Sequence, residues 1–156
     1  SGYLGGTWRY TGCTCTDDYG APIQTSMYSN LKTNLPKEVM MFPGITYKNT
    51  NDSYLSSEEV LEYINDYADK FQLRSLCKFH HLVVKISRTE SEWEVTVEDL
   101  RNKASFTYYF DILFICNGVN NTPFTAYIEG AEHFRGRSMH SHEYRKSEPF
   151  LGQRVL

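Results

Sequence analysis

The longest apolar run of the chain, at residues 112–116, is the feature that most restricts its fold. Polar and apolar side chains do not alternate in it, which is typical of a strand covered on both faces in a parallel sheet. The run follows Asp111 and leads directly into Asn117-Gly118, a pair that favours a sharp turn. Open α/β sheets bind ligands at the carboxyl ends of such strands. We therefore predict an α/β fold with a ligand-facing turn at Gly118.

Three shorter segments predict a second kind of sheet. Trp93, Val95 and Val97 alternate with polar residues, as in a strand with one face in water. Strands are also predicted at residues 82–86 and 106–110, and the linkers between the three segments are polar. Short polar linkers favour the pairing of consecutive strands, so an antiparallel β-meander is expected.

A helix is predicted at residues 57–71. Ser56 is a suitable N-cap, and Glu59 completes a capping box with it. Apolar side chains then recur on one helical face. They are Val60, Leu61, Ile64, Tyr67, Ala68 and Phe71. Residues 1–55 show no sustained period, so irregular structure with short turns is expected there.

The composition indicates one globular domain and narrows the range of partners. The chain has 156 residues, of which 40% are hydrophobic and 22% are charged, which is enough to bury a core. A net charge of −3 argues against nucleic acid as a partner. No apolar run has the length of a membrane span. No charged-then-apolar leader is present either, so a cytoplasmic rather than a secreted protein is expected.

The cysteines and histidines form no recognisable metal-binding pattern. A chain of this size needs no disulfides, so the four cysteines are interpreted as reduced thiols. They are Cys13, Cys15, Cys77 and Cys116. The pair Cys13-x-Cys15 with His140-x-His142 matches no structural zinc spacing, and no metal site is predicted. Residues 1–156 also contain no Gly-x-Gly-x-x-Gly, phosphate-loop or Gly-x-Ser-x-Gly motif.

Residues 152–156 resemble the beginning of a new buried strand. A strand that begins there has no following turn or helix through which it could pair and be covered. The first residue is Ser rather than Met. We therefore expect the chain to be an internal piece of a longer protein.

Four stretches of the chain resemble the flavin-containing monooxygenases. They are Gly5-Gly6-Thr7-Trp8, the segment Thr33-Asn34-Leu35-Pro36-Lys37-Glu38, residues 111–118 followed by Pro123, and Phe134-x-Gly136-x-x-x-His140-x-x-x-Tyr144. Each pattern has few fixed positions, but together they extend over nearly the whole chain in the order and spacing of the family. The chain is therefore identified as a member of that family and as an internal fragment of it.

The resemblance implies a fold of two dinucleotide-binding domains, one for FAD and one for NADPH. Residues 1–150 would be a partial FAD-binding domain that lacks its first βαβ unit. Residues 151–156 would begin the first strand of the NADPH-binding domain. The fold class is then α/β, an incomplete part of an FAD-binding dinucleotide fold with an antiparallel β-meander. The glycine-rich loops that hold a pyrophosphate at a helix N-terminus would both lie outside the chain.

The resemblance also implies the site residues. Gly6 and Trp8 would line the flavin, and Thr33 and Asn34 would lie at its reactive edge. Asn34 would be the catalytic residue, since its amide donates hydrogen bonds and cannot act as an acid that discharges the oxygenating species. The whole cofactor-binding set is Gly5, Gly6, Thr7, Trp8, Thr33, Asn34, Leu35, Val83 and Gly118. Two alternatives remain open: the glycine pair as a plain turn, and Asn34 as the cap of a turn.

The implied activity is FAD- and NADPH-dependent oxygenation of nucleophilic nitrogen or sulfur in small molecules, through a flavin hydroperoxide. The expected partners are an amine or thioether substrate and oxygen. Some relatives carry a C-terminal membrane anchor, so association with the endoplasmic reticulum is a second expected location. The fourth motif is expected to pack the link between the domains rather than to act in catalysis. The alternatives are a truncated, non-catalytic product or partner-binding pseudo-enzyme, and a secreted disulfide-bonded binding module.

Overall fold

The computed structural model describes residues 1–48, 51–118 and 122–156. It contains helix α1, Ser57–Lys70, and strands β1, His81–Arg88, β2, Trp93–Asp99, and β3, Ala104–Phe110. Short 3₁₀ turns lie at Gly6–Trp8, Lys37–Val39, Leu73–Leu76, Ala131–His133, Ser141–Glu143 and Glu148–Phe150. No helix in the described ranges is long and apolar enough to cross a membrane.

Helix α1 begins at the capping box that the sequence predicts. The Ser56 hydroxyl accepts a hydrogen bond from the Glu59 N–H at 3.3 Å. The Glu59 carboxylate accepts one from the Ser56 N–H at 2.7 Å. An N-cap of this kind contributes about 1 kcal/mol to stability. The helix ends at Lys70 with Phe71 as its C-cap, so the predicted helix is confirmed to within one residue.

The buried face of α1 carries an aromatic cluster. Val60 and Tyr63 are buried on it, whereas Phe71, expected on the same face, is 43% exposed. The Tyr63 ring stacks on Tyr47 with 3.9 Å between centroids. The Tyr63 hydroxyl accepts a hydrogen bond from the Phe42 N–H at 2.6 Å. Tyr63 was not among the residues predicted on this face. Burial of a tyrosine requires a partner for its hydroxyl, and only the folded chain supplies that partner.

The three strands form the predicted antiparallel meander, in the order β1-β2-β3. On the central strand Val95, Val97 and Asp99 are buried, and the residues between them are half-buried. Val97 pairs with Val83 of β1 and with Phe106 of β3, and the register on the β1 side shifts just before Lys85. Cross-strand apolar pairs of this kind stabilise a sheet in addition to its backbone hydrogen bonds.

The strand predicted at residues 111–116 is wrong for this chain, because the structure has no strand there. Ile112, Phe114 and Ile115 are 72%, 83% and 65% exposed. A buried parallel strand needs neighbouring strands at its edges and helices on its faces. No described residue pairs with this run. Residues 152–156 form no strand either, and the Gln153 N–H there closes a turn onto the Phe150 carbonyl.

We predict that the 156-residue chain binds a dye specific for exposed apolar surface, since the unpaired run is contiguous and open to water. Replacing Ile112, Phe114 and Ile115 together with threonine should lower the dye fluorescence strongly. The helical circular dichroism should not change, because these side chains are largely exposed and lie outside α1.

The matched control replaces three exposed apolar residues that lie far apart in the chain, Val39, Leu76 and Leu151. It removes the same number of large apolar side chains without removing a contiguous surface, so the fluorescence should fall only slightly. An equal loss of fluorescence in the two triple variants would contradict the prediction.

Candidate functional site

The first predicted segment forms a tight 3₁₀ turn, Gly6–Trp8, with Gly5 as its N-cap. Gly5 has φ +108°, a conformation that L side chains rarely adopt. A Cβ placed on Gly5 would lie 2.2 Å from Cδ1 of Leu61 in α1. Gly6 also has a positive φ, +51°, but a Cβ there would meet no atom within 4 Å. Gly5 therefore lets the backbone approach the helix, and Gly6 leaves the other side of the turn open.

The second predicted segment is fixed by Thr33, whose side chain is buried. The Thr33 N–H donates to the Leu55 carbonyl at 2.8 Å, and its hydroxyl accepts from the Leu55 N–H at 3.1 Å. The next two residues, Asn34 and Leu35, are exposed. The 3₁₀ turn that follows has Pro36 as its N-cap and no side-chain cap. Asn34 therefore does not cap the turn Lys37–Val39.

Both segments are attached to the beginning of helix α1. Leu55 is fully buried two residues before the helix, and Lys32 forms an antiparallel bridge with the N-cap, Ser56. Leu61, which Gly5 approaches, lies in the second turn of the same helix. The structure thus brings the first two predicted segments to the N-terminal half of one helix.

In the described part of the chain, the structure shows no attachment of this kind for the remaining two predicted positions, Val83 and Gly118. Val83 lies on β1 and is 50% exposed. Gly118 is exposed with φ +79°, and its neighbours at residues 119–121 lie outside the described residues. Among the described residues, no hydrogen bond or packed pair of elements connects either position with the first two segments.

The fourth predicted segment folds back onto residues near the start of the chain. The His140 Nδ1 accepts a hydrogen bond from the His142 N–H at 3.0 Å and so caps the turn Ser141–Glu143. The Tyr144 ring packs edge-on against Tyr28 with 5.4 Å between centroids. These contacts support a structural role for the motif.

Arg145, directly after this motif, is buried although the sequence analysis did not single it out. Its guanidinium donates five hydrogen bonds, all to backbone carbonyl oxygens, which belong to Cys13, Thr25, His142 and Tyr144. Sequence patterns give no signal for such a residue. Arginine is usually exposed, and the partner carbonyl of Cys13 is 132 positions away.

Among the described residues, the shortest ion pairs lie on the solvent side of α1 and do not include the predicted segments. The Lys48 ammonium lies 2.8 Å from Asp66 and 2.6 Å from Glu62, and hydrogen bonds to both hold the pKa of Lys48 well above its usual value. A hydrogen bond from Arg74 lowers the pKa of the Asp69 carboxyl. Such solvent-exposed pairs contribute little to stability. The described residues contain no group of side chains that could hold a metal ion.

The chain matches the FMO-like family, described as flavin-binding monooxygenase-like, over residues 1–156, and it belongs to that family. It is 34% identical to senecionine N-oxygenase from Tyria jacobaeae, across 98% of this chain and 34% of that protein. It is 33% identical to trimethylamine monooxygenase from Pelagibacter ubique (strain HTCC1002), across 97% of this chain and 35% of that protein.

Two solved structures share its fold. Tmm from Pelagibacter sp. strain HTCC7211 has a TM-score of 0.87 at 31% identity, over 96% of this chain and 35% of that chain. S-allyl-L-cysteine S-oxygenase from Allium sativum has a TM-score of 0.82 at 30% identity, over 94% of this chain and 36% of that chain. The family and fold class expected from the sequence are confirmed. The chain spans about a third of the length of these relatives.

We predict that Gly5→Ala loosens the Gly6–Trp8 turn more than Gly6→Ala does. Both substitutions place a side chain at positive φ, which costs about 1–2 kcal/mol. Only Gly5→Ala also forces Leu61 to move. The measurement is hydrogen exchange of the Trp8 amide, which donates to the Gly5 carbonyl at 2.9 Å.

The control is Leu61→Ala in the Gly5→Ala background, which removes the atom that the new Cβ would meet. Because the two side chains would then no longer be in contact, the Trp8 exchange rate should return to that of Gly6→Ala. Equal exchange rates of the Trp8 amide in Gly5→Ala and Gly6→Ala would refute the close approach of Gly5 to the helix.

Proposed function

We propose that this chain is part of an FAD- and NADPH-dependent monooxygenase that oxygenates nucleophilic nitrogen or sulfur in small molecules. Its relatives include a senecionine N-oxygenase and a trimethylamine monooxygenase. They also include an S-allyl-L-cysteine S-oxygenase. An amine or a thioether, with oxygen as the second substrate, is therefore the proposed substrate class.

The observation that carries the proposal is the attachment of residues 5–8 and 33–35 to the first turns of one helix. These two segments present an open glycine backbone at Gly6, an amide at Asn34 and an apolar side chain at Leu35, all exposed. A flavin ring is a flat, largely apolar surface with hydrogen-bonding groups along its edges, and small-molecule sites combine apolar contacts with a few placed polar groups. The residues present therefore fit a flavin.

In the proposed site, Asn34 is the catalytic residue. Bound flavin supplies the activation of molecular oxygen, with NADPH as the proposed source of electrons. The Asn34 amide donates hydrogen bonds at the reacting centre, and it has no proton acidic enough to be lost there. Trp8 and Leu35 exclude water from the reacting atoms.

The other proposed cofactor-binding residues differ in how much the structure supports them. The segment around Gly5, Gly6, Thr7 and Trp8 is held against α1 together with Thr33. Val83 is proposed for the adenine side and Gly118 for a turn beside the cofactor. No hydrogen bond among the described residues joins either position to the first two segments, so their assignment rests on the family resemblance alone.

We also propose that residues 1–150 belong to an FAD-binding domain and that residues 151–156 begin an NADPH-binding domain. The largely exposed apolar run at residues 112–115 supports the first part of this proposal, a partial FAD-binding domain. Such a run fits a domain whose remaining strands come from elsewhere in a longer protein. The glycine-rich loop for the FAD pyrophosphate would come from the same source, since residues 1–156 contain no Gly-x-Gly-x-x-Gly.

Titration with FAD tests the proposed function. A full-length protein that contains these residues should bind FAD stoichiometrically and perturb its visible spectrum. The 156-residue chain alone should not, because the loop that holds a pyrophosphate is not among its residues. A full-length protein that binds no flavin would contradict the proposal and favour a non-catalytic protein that binds a partner.

We predict that Asn34→Ala in the full-length protein lowers the rate of product formation by roughly 100-fold, as the loss of one placed hydrogen-bond donor does in other sites. FAD should stay bound, because the exposed Asn34 side chain does not hold the fold together. The measurements are the rate of oxygenated product, the product per NADPH consumed and the absorbance of bound flavin.

The matched control is Asn30→Ala, which removes the amide of another exposed asparagine, in the turn before this segment. The rate of oxygenated product and the absorbance of bound flavin should both be the same in this variant as in the wild type. Unchanged turnover in Asn34→Ala would end the assignment of Asn34 as the catalytic residue.

A further inference from the structure

The guanidinium of Arg145 is buried and has only backbone carbonyl oxygens as partners among the described residues. Nε and Nη2 donate to the Cys13 carbonyl at 3.2 and 3.1 Å. Nη1 donates to the carbonyls of His142 and Tyr144 at 2.6 and 3.0 Å. Nη2 also donates to the Thr25 carbonyl at 3.0 Å. All five N–H groups of the side chain are therefore satisfied, as burial of a charge requires.

His142 adds a second connection between the same two parts of the chain. Its Nε2 is 3.1 Å from the Ile23 carbonyl, and its Nδ1 is 2.8 Å from the Ser26 hydroxyl. The Ser29 N–H donates to the Arg145 carbonyl at 2.8 Å. The N-terminal part is thus fixed to the C-terminal part by both side-chain and backbone hydrogen bonds.

Thr25 extends this connection to the turn Gly6–Trp8. Thr25 is buried, and its carbonyl accepts from Arg145 while its hydroxyl donates to the Thr7 carbonyl at 2.8 Å. The same hydroxyl accepts from the Met27 N–H at 3.2 Å, which fixes its orientation. Two hydrogen bonds in series therefore join the buried guanidinium to the middle residue of the turn.

We propose that Arg145 and Thr25 are positioning residues that hold the Gly6–Trp8 turn in place and thereby set the affinity for flavin. The inference rests on the proposed function, which assigns that turn to the flavin. An arginine is needed because its planar fork reaches carbonyls that lie in different directions. A lysine ammonium has only three donors, all on one atom.

The test measures FAD affinity in the full-length protein for Thr25→Val, Thr25→Ser and Arg145→Lys. Thr25→Val keeps the shape and removes the hydroxyl, so the Kd should rise about tenfold, as expected for one buried hydrogen bond. Thr25→Ser keeps the hydroxyl and should stay within about threefold of wild type. Arg145→Lys should raise the Kd for FAD at least about tenfold. Arg145→Lys and Thr25→Val should both change the visible spectrum of bound flavin in the same way.

A second readout needs no flavin. The Arg9 N–H donates to the Gly6 carbonyl at 3.2 Å, so its hydrogen exchange reports whether the turn is formed. In flavin-free protein, exchange at Arg9 should be about tenfold faster in Thr25→Val and Arg145→Lys than in wild type. Thr25→Ser should exchange as the wild type does, and amides of β2 should be unaffected in every variant.

Val95→Ala is the matched control for a general loss of stability, since it removes buried methyl groups from β2. It should lower the melting temperature and leave both FAD affinity and Arg9 exchange unchanged. The inference is overturned if Thr25→Val and Arg145→Lys affect those two readouts no more than Val95→Ala does. A wild-type protein that binds no FAD would instead contradict the proposed function, and faster Arg9 exchange in the variants would still support the positioning of the turn.

Discussion

The first turns of helix α1 form the surface to which the irregular N-terminal third of the chain is attached. A segment without regular structure cannot satisfy its own backbone groups, so it needs partners on a regular element. The residue before the N-cap, Leu55, supplies those partners for Thr33. Leu61 lies so close to the backbone at Gly5 that a side chain there would collide with it. Fraying of this one helix end would therefore remove contacts from both segments of the proposed flavin site.

A second attachment is polar and joins residues from opposite ends of the chain. Arg145 is buried against carbonyl oxygens rather than carboxylates, so the charge is stabilised by oriented backbone dipoles. Thr25 connects that arrangement to the turn that carries Gly6. The family motif that ends at Tyr144 is directly followed by Arg145, which is proposed to fix this turn. The motif residues themselves make structural contacts. Helix packing on one side and a buried guanidinium on the other hold the same short turn.

A β-strand needs neighbouring strands as hydrogen-bond partners. The strands of the meander have such partners, and among the described residues the apolar run at residues 112–116 does not. The three meander strands are consecutive, so each finds its partner a few residues away. The apolar run has the composition of a central parallel strand, and none of its partners is among the described residues. Its exposed side chains are consistent with a chain that covers about a third of the length of its relatives.

Local features of this protein were determined by the sequence alone. The capping box at Ser56 and the alternation around Val95 each depend on residues close together in the chain, and the structure bears them out. The family expected from the four motifs is confirmed. The tertiary structure decided what depends on distant partners. It left residues 112–116 unpaired, it brought the segments around Gly5 and Thr33 to one helix, and it buried Arg145. The physical reason is that burial and strand pairing depend on two surfaces in contact. A local sequence pattern describes only one of those two surfaces.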